Sequence, residues 1–168
     1  MEVRYGKIGP ADACLECKNK CANCKYKDEC DFDFVYRLHG KNSDLLGPCM
    51  PASLKESFRN NEIIIAEDNL GFCEFHVCKR DKHTTVYHIC TTEHARGKGI
   101  ARQFLEFLRD KYKLGIQAVC ISNSASEKFW SKVAKKISDK VSRKGTKLSV
   151  YYIGDTPETA TMKKEELF

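Results

Sequence analysis

Arg96-Gly97-Lys98-Gly99-Ile100-Ala101 is the stretch that decides the fold, because it stands between a predicted strand and a predicted helix. Such a turn leaves several backbone N–H groups unpaired at the start of the helix, and the helix dipole adds positive potential at the same place. Gly97 and Gly99 have no Cβ atom in the way of an anion, while Arg96 and Lys98 add positive charge. The stretch therefore predicts a cradle for a pyrophosphate group.

Two other phosphate-binding motifs do not match this turn. The dinucleotide motif needs Gly-x-Gly-x-x-Gly after the first strand of a parallel sheet, whereas position 102 is Arg and the preceding strands read as an antiparallel meander. A kinase-type P-loop is excluded because no Gly-Lys-Ser/Thr follows the glycines.

The residues on either side of the turn alternate between strand and helix patterns. Hydrophobic periodicity predicts strands at 62–67, 72–78, 84–91 and 116–121, a closing hairpin of 140–142 with 148–153, and helices at 51–58, from Ile100 to Tyr112 and from Ser124 to about Ile137. The apolar segment 32–38 fits either helix or strand. This order predicts an α/β domain with a mixed sheet.

Composition excludes several classes of protein. The 168 residues suffice for one compact domain, or for one domain with a small appendage. Hydrophobic residues make up 42% and charged residues 31%, and no apolar run approaches the roughly 20 residues of a membrane helix. Residues 1–7 lack the apolar block of a secretory signal, so we expect a reducing, cytoplasmic location, in which disulfides are the weaker explanation of the ten cysteines.

The turn also matches a family signature. Arg96-x-x-Gly99-x-Ala101 resembles the Gln/Arg-x-x-Gly-x-Gly/Ala motif of the GNAT N-acetyltransferase superfamily. The similarity extends over about residues 62 to 153, where Asn123-Ser-Ala-Ser-Glu-Lys-Phe-Trp130 resembles the family's Asn-x-x-Ala-x-x-Phe-Tyr segment. The resemblance implies a GNAT-like α/β fold, with a mixed, largely antiparallel sheet flanked by helices, and an acyltransferase that uses acetyl-CoA.

The resemblance further implies a set of cofactor contacts. The CoA pyrophosphate would be held by the backbone N–H groups of Arg96, Gly97, Lys98, Gly99, Ile100 and Ala101. Cys90 and Thr91, at the splayed end of the third strand, would face the pantetheine and thioester, and Asn123 would contact the CoA arm. The resemblance also places Trp130 at the cofactor, where many members carry the tyrosine that protonates the leaving thiolate, although indole has no acidic proton to give. Val133-Ala-Lys-Lys replaces the usual Gly-Phe, and the general acid is unassigned.

Direct transfer of an acetyl group to an amine needs a base, because an ammonium must lose a proton before it attacks. His88 and Glu93 are the predicted catalytic residues, and His94 is a third candidate. Each also has a structural interpretation, as a satisfied strand histidine or as a cap of the turn. An acyl-carrying role for Cys90 is disfavoured, because strand cysteines are usually small buried hydrophobes.

Five cysteines crowd the N-terminal segment in the spacing Cys14-x2-Cys17-x3-Cys21-x2-Cys24-x5-Cys30. Thiolates this close repel one another or oxidise unless a metal neutralises them. We therefore predict a metal-binding module at 1–31 and the acetyltransferase domain at 32–168. The last three cysteines resemble the Cys-x2-Cys-x5-Cys ligands of [4Fe–4S] modules in SPASM domains and some DNA-processing nucleases, with Cys17, Cys14 or Cys49 as the fourth ligand. Structural zinc is the alternative, although its knuckles usually lie a dozen or more residues apart.

The net charge of +6 is unevenly distributed. Eight basic residues lie between Lys128 and Lys147 against Asp139 alone, which predicts attraction to CoA phosphates, nucleic acid or an acidic protein unless the stretch is simply a solvated face. The sequence thus predicts an N-acetyltransferase of unknown amine substrate, with nucleic acid or a nucleic-acid-associated protein as candidate partner. The alternative is a non-catalytic GNAT scaffold that docks on nucleic acid or protein through its metal module and basic face.

Overall fold

The computed structural model describes residues 2–9, 30–43 and 51–154. In these ranges the strands are Val3–Tyr5 (β1), Ile63–Ala66 (β2), Gly71–Cys78 (β3), His83–Thr91 (β4), Gly115–Ile121 (β5), Lys135–Val141 (β6) and Lys147–Ile153 (β7). The helices are Phe32–Lys41 (α1), Pro51–Arg59 (α2), Ile100–Tyr112 (α3) and Ala125–Val133 (α4), with short 3₁₀ helices at Glu67–Asn69 and Glu93–Ala95.

The seven strands form one mixed sheet in the order β1-β2-β3-β4-β5-β7-β6. Every neighbouring pair is antiparallel except β4 and β5, which run parallel. A parallel pair needs a crossover connection, and α3 supplies it. The predicted α/β class, the antiparallel meander of β2 to β4 and the largely antiparallel sheet are confirmed.

Each face of the sheet carries its own hydrophobic cluster. Successive residues of a strand point to opposite faces, so Ile64 packs on the α3 side while Ile63 and Ile65 pack on the α1 and α2 side. On α3 the apolar residues recur at three- and four-residue spacing and are buried against the sheet, namely Ile100, Phe104, Leu105 and Leu108. Helix α4 adds Trp130 to the same cluster. The predicted bounds of α3 are confirmed.

Three predictions of local structure need correction or completion. The ambiguous segment 32–38 is part of helix α1, because its buried residues recur at helical spacing. The helix predicted to reach Ile137 ends at Val133, since the following residues pair with β7 as the edge strand β6. The strand β1, which pairs with β2, was not predicted at all.

No helix in the described ranges is long and apolar enough to cross a membrane.

Candidate active site

Strands β4 and β5 separate halfway along β4. Their parallel pairing begins at His83 with Gly115 and ends at Val86 with Ala118, although β4 runs on to Thr91. On its other side β4 stays paired with β3 up to its last residue. Backbone polar groups of residues 87–91 on the β5 side are therefore left without a strand partner, which opens the middle of the sheet.

A β-bulge at Tyr87 marks the point of separation. Glu74 of β3 lies opposite His88, whereas the next residue, Phe75, lies opposite Val86, so Tyr87 has no partner on β3. A bulge bends its strand and re-aims the side chains beyond it. Val86 belongs to the α3-side cluster, while Cys90 belongs to the α1 and α2 side. His88 contacts residues on that second side, and Tyr87 is 53% exposed.

The glycine turn has the geometry that the sequence predicts. Gly97 and Gly99 have φ values of +78° and +80°, which L side chains rarely adopt. Apart from the adjoining residues of the turn, no atom of the described ranges lies within 4 Å of where either Cβ would stand. Gly99 is the N-cap of α3 and no side chain caps the helix there. The turn is therefore open to a ligand on its outer side.

The backbone amides of this turn divide into two groups. Those of Arg96 and Lys98 donate to the carbonyls of Glu93 and Ala95, at 3.2 and 3.3 Å, and so stabilise the turn itself. The first backbone bond that ties the turn to α3 runs from Gln103 N to Gly99 O. The amides before it, at the start of the helix, have no backbone acceptor among the described residues. This set of free donors fits a diphosphate.

The other predicted cofactor residues occupy different environments. Arg96 and Lys98 are exposed, whereas Ile100 is buried and anchors the start of α3 in the core. Asn123 is exposed just before α4. Trp130 is only 3% exposed and packs edge-on against a neighbouring ring. The indole thus lies in the core rather than on the surface of the opened sheet.

Cys90 is buried beneath α1 and α2, next to the half-buried Thr91. Burial raises the pKa of its thiol to about 11, so the thiol is neutral at neutral pH and a poor nucleophile. The structure accords with its interpretation as a small buried hydrophobe.

A cleft of about 430 Å³ lies beside β4 on the side covered by α2. Among the described residues that line it, none is Lys or Arg and three carry carboxylates. The full lining is Ser53, Glu56, Ser57, Asn60, Glu62, Glu74, His76, Tyr87 and His88. In a chain of net charge +6 this local excess of negative charge distinguishes the cleft from the rest of the surface.

His88 reaches this cleft through a hydrogen-bonded pair with Glu74. Its Nδ1 lies 2.5 Å from Oε2 of Glu74, and the other oxygen of that carboxylate accepts a 2.6 Å bond from Oγ of Ser57. Burial raises the pKa of Glu74, but the bonds from His88 and Ser57 outweigh it and hold the pKa below its usual value. Neither Glu74 nor Ser57 was predicted from the sequence, where the only signal was a carboxylate within an apolar strand.

The other candidate bases lie elsewhere. Glu93 and His94 are exposed on the 3₁₀ helix that follows β4. Glu93 contributes its carbonyl to the turn, and Nε2 of His94 lies 3.4 Å from Oγ1 of Thr92. Neither residue lines the cleft. Of the predicted bases, His88 alone is brought there.

The sequence pattern of the acetyltransferase (GNAT) family matches residues 32–134, which is more than half of the chain. The chain belongs to the GNAT acetyltransferase family. The predicted acyltransferase class is thereby confirmed. The chain has no significant match among curated protein sequences.

Several solved structures share the fold. The ribosomal-protein-S18-alanine N-acetyltransferase of Escherichia coli has 12% identity and a TM-score of 0.56 over 77% of this chain and 92% of its own. An acetyltransferase of Thermus thermophilus has 15% identity and a TM-score of 0.58 over 91% and 97%. N-acetylglutamate synthase of Neisseria gonorrhoeae, solved with coenzyme A and N-acetyl-glutamate, has 12% identity and a TM-score of 0.57 over 92% and 35%. Identities this low concern the fold alone.

The predicted metal site falls largely outside the described residues. Cys14, Cys17, Cys21, Cys24 and Cys49 all lie there, and Cys30 is half-buried. Within the described ranges no group of three or more His, Cys, Asp or Glu side chains is arranged to hold a metal ion. The metal module therefore stays a prediction.

Proposed function

We propose that this GNAT protein transfers the acetyl group of acetyl-CoA directly to the nitrogen of a cationic amine. The observation that carries the proposal is the uncapped start of α3, with free amides and open space at Gly97 and Gly99. It lies just after the strand that separates from β5. Bound acetyl-CoA supplies an acetyl group activated as a thioester.

The residues of the chain then have separate tasks. The amides at Gly97 and from Gly99 to Ala101 bind the diphosphate, and the unpaired edge of β4 at Cys90 and Thr91 borders the pantetheine arm. The carboxylates of the acidic cleft attract an ammonium group. His88 takes a proton from that ammonium and so produces the neutral amine that attacks.

Replacement of Gly99 by alanine tests the cofactor site. A residue with a Cβ at φ near +80° costs about 1–2 kcal/mol of stability, and the new methyl group enters the space meant for the phosphates. Gly145 in the β6–β7 turn has φ +81° and the same open surroundings, so G145A is the matched control. We expect both variants to lose similar thermal stability in the absence of ligand. Calorimetric titration should show at least tenfold weaker acetyl-CoA binding for G99A alone, roughly 1.4 kcal/mol.

Release of the CoA thiol in the presence of cationic amines tests the reaction itself. Acetyl-CoA binding without thiol release from any amine would contradict the proposed transfer and would favour the non-catalytic alternative. Unchanged acetyl-CoA affinity in G99A would contradict the proposed cofactor site.

We further propose that four of the clustered cysteines bind a [4Fe–4S] cluster, with zinc as the alternative, in a module between β1, which belongs to the sheet, and α1. The support is the spacing of Cys14 to Cys30, whose thiolates need a metal to neutralise them. We also propose that the substrate is associated with nucleic acid. The support is the positive charge of the basic residues between 128 and 147.

A further inference from the structure

We propose that Glu74, held in place by Ser57, is a positioning residue that directs the Nε2 atom of His88 to the acceptor amine. The inference rests on the proposed function, because it explains how the base of that reaction is oriented. Glu74 lies on β3 and Ser57 on α2, whereas the glycine turn follows β4.

The hydrogen bonds determine which ring nitrogen carries the proton. An ionised carboxylate only accepts hydrogen bonds, so the Nδ1 atom of His88 at 2.5 Å from Glu74 must be the donor. That assignment leaves Nε2 as the nitrogen with a free lone pair. Glu74 is 8% exposed and its two oxygens are bound by groups from two different elements, which limits its rotation.

The bulge at Tyr87 is what brings the two side chains together. If the register of Phe75 with Val86 continued without interruption, Tyr87 would lie opposite Glu74 and His88 would share a face with Val86. The extra residue moves His88 to the opposite face and into register with Glu74. The same distortion thus separates β4 from β5 and forms the Glu74–His88 pair.

His39 of α1 completes the surroundings of the pair. Its ring is 1% exposed and meets the His88 ring edge-on, with 4.6 Å between centroids. Burial lowers the pKa of His39, and the charge of a protonated His88 lowers it further, so His39 is neutral. Among the described residues, the charged or titratable groups that line the cleft or pack on His88 are His39 from α1, Glu56 from α2, Glu62 before β2, Glu74 and His76 from β3, and Tyr87 from β4.

The arrangement suits a base that becomes charged during the reaction. A proton leaves the acceptor ammonium and binds to Nε2, and the resulting imidazolium is paired with the Glu74 carboxylate at once. An unpaired charge beside the buried rings would be costly, and this pairing avoids creating one.

Kinetics of E74Q, H88Q and the double variant test the proposal. We expect unchanged acetyl-CoA affinity in all three, a fall in kcat of about 10²- to 10⁴-fold for H88Q, and a smaller fall for E74Q. The double variant should be no slower than H88Q, because a positioning residue acts only through the base.

Glu62 provides the matched control. It pairs with Nδ1 of His76 at the same 2.5 Å in the same cleft. E62Q changes the charge of the cleft without acting through His88, so its effect and that of H88Q should be additive. If the effects of E74Q and H88Q are also additive, the proposal is wrong.

Nitrogen NMR of the wild-type protein gives a test that needs neither substrate nor a stable variant. The His88 resonances, assigned by their absence in H88Q, should show a protonated Nδ1 and an unprotonated Nε2 in the neutral ring. The opposite tautomer would overturn the positioning role whatever the enzyme acetylates. Failure of the proposed function is distinguishable, because it would appear as missing thiol release by the wild-type protein with this tautomer intact.

Discussion

His39 illustrates how a single side chain couples the candidate site to stability. Its ring is buried between Phe72 and His88, and no hydrogen-bond partner for Nδ1 exists among the described residues. Protonation would place a charge in this apolar setting, which is why burial lowers the pKa of His39. In the unfolded chain the ring is in water, so its pKa is not lowered by burial.

The folded protein should therefore lose stability as the pH falls below about 6.5, the ordinary pKa of histidine. In that range the unfolded chain binds a proton at His39 more readily than the folded protein does. H39F removes the group that binds this proton. Between about pH 7.5 and about pH 5.5 its urea midpoint should therefore decrease less than that of the wild-type protein. Glu74, whose pKa is lowered, stabilises the fold above about pH 4.5 and loses that contribution only as the pH falls further, so the two effects separate. An equal decrease in both proteins would contradict the assignment to His39.

At the scale of elements, the two helices that follow the open part of the sheet begin in opposite ways. Helix α3 starts at Gly99 without a side-chain cap, whereas Oγ of Ser124 accepts the amide of Glu127 and caps α4. The Glu127 carboxylate in turn accepts bonds from Ser149 and from the amide of Asn123, which hold its pKa at about 2. The start of α4 is thus satisfied within the protein, and that of α3 is left for a ligand.

Loss of the α4 cap should destabilise the fold measurably. We expect S124A to lower the free energy of unfolding by about 0.5–2 kcal/mol, the usual cost of an N-cap serine. The control is S131A on the same helix, where an exposed hydroxyl only bonds the carbonyl of Lys128. Denaturant unfolding compares the two, and equal effects would argue against a capping role.

For the whole molecule, the connection between the sheet and the cysteine-bearing segment is the main feature. Arg4 of β1 makes two bonds to the Asp31 carboxylate, at 2.6 and 2.9 Å, and the backbones of Lys7 and Asp31 bond at 2.8 Å. The ends of the segment between Lys7 and Asp31 are therefore tied together and to the sheet edge. Because the ends of this segment are already joined, binding of a metal by its cysteines would cost less chain entropy than it would in a segment with free ends.

Metal content tests the module at this scale. Anaerobically purified protein should carry stoichiometric metal, and iron–sulfur absorbance should identify a [4Fe–4S] cluster; a colourless zinc protein would exclude it. C24S should lose the metal and lower Tm while acetyl-CoA still binds. C78S, which changes a half-buried cysteine on β3, should retain both metal and Tm.

The parts of the fold that the sequence predicted are those with a local cause. The periodicity of Ile100 to Tyr112 depends on side chains within one helix, and α3 begins and ends at those residues. The error in α4 is instructive, because Lys135 and Lys136 suit a helix surface as well as an exposed edge strand. Only their pairing with β7 distinguishes the two.

By itself, the sequence determined the glycine turn, the helix behind it and the family, because backbone freedom and periodicity are properties of neighbouring residues. Only the tertiary structure decided that His88 lies beside Glu74, which is 14 residues away and bonded to Ser57, and against the ring of His39. That outcome depends on register, and one extra residue at Tyr87 changes the face of every side chain beyond it. A bulge is a compromise among strands and helices that are distant in the chain, so no local pattern encodes it.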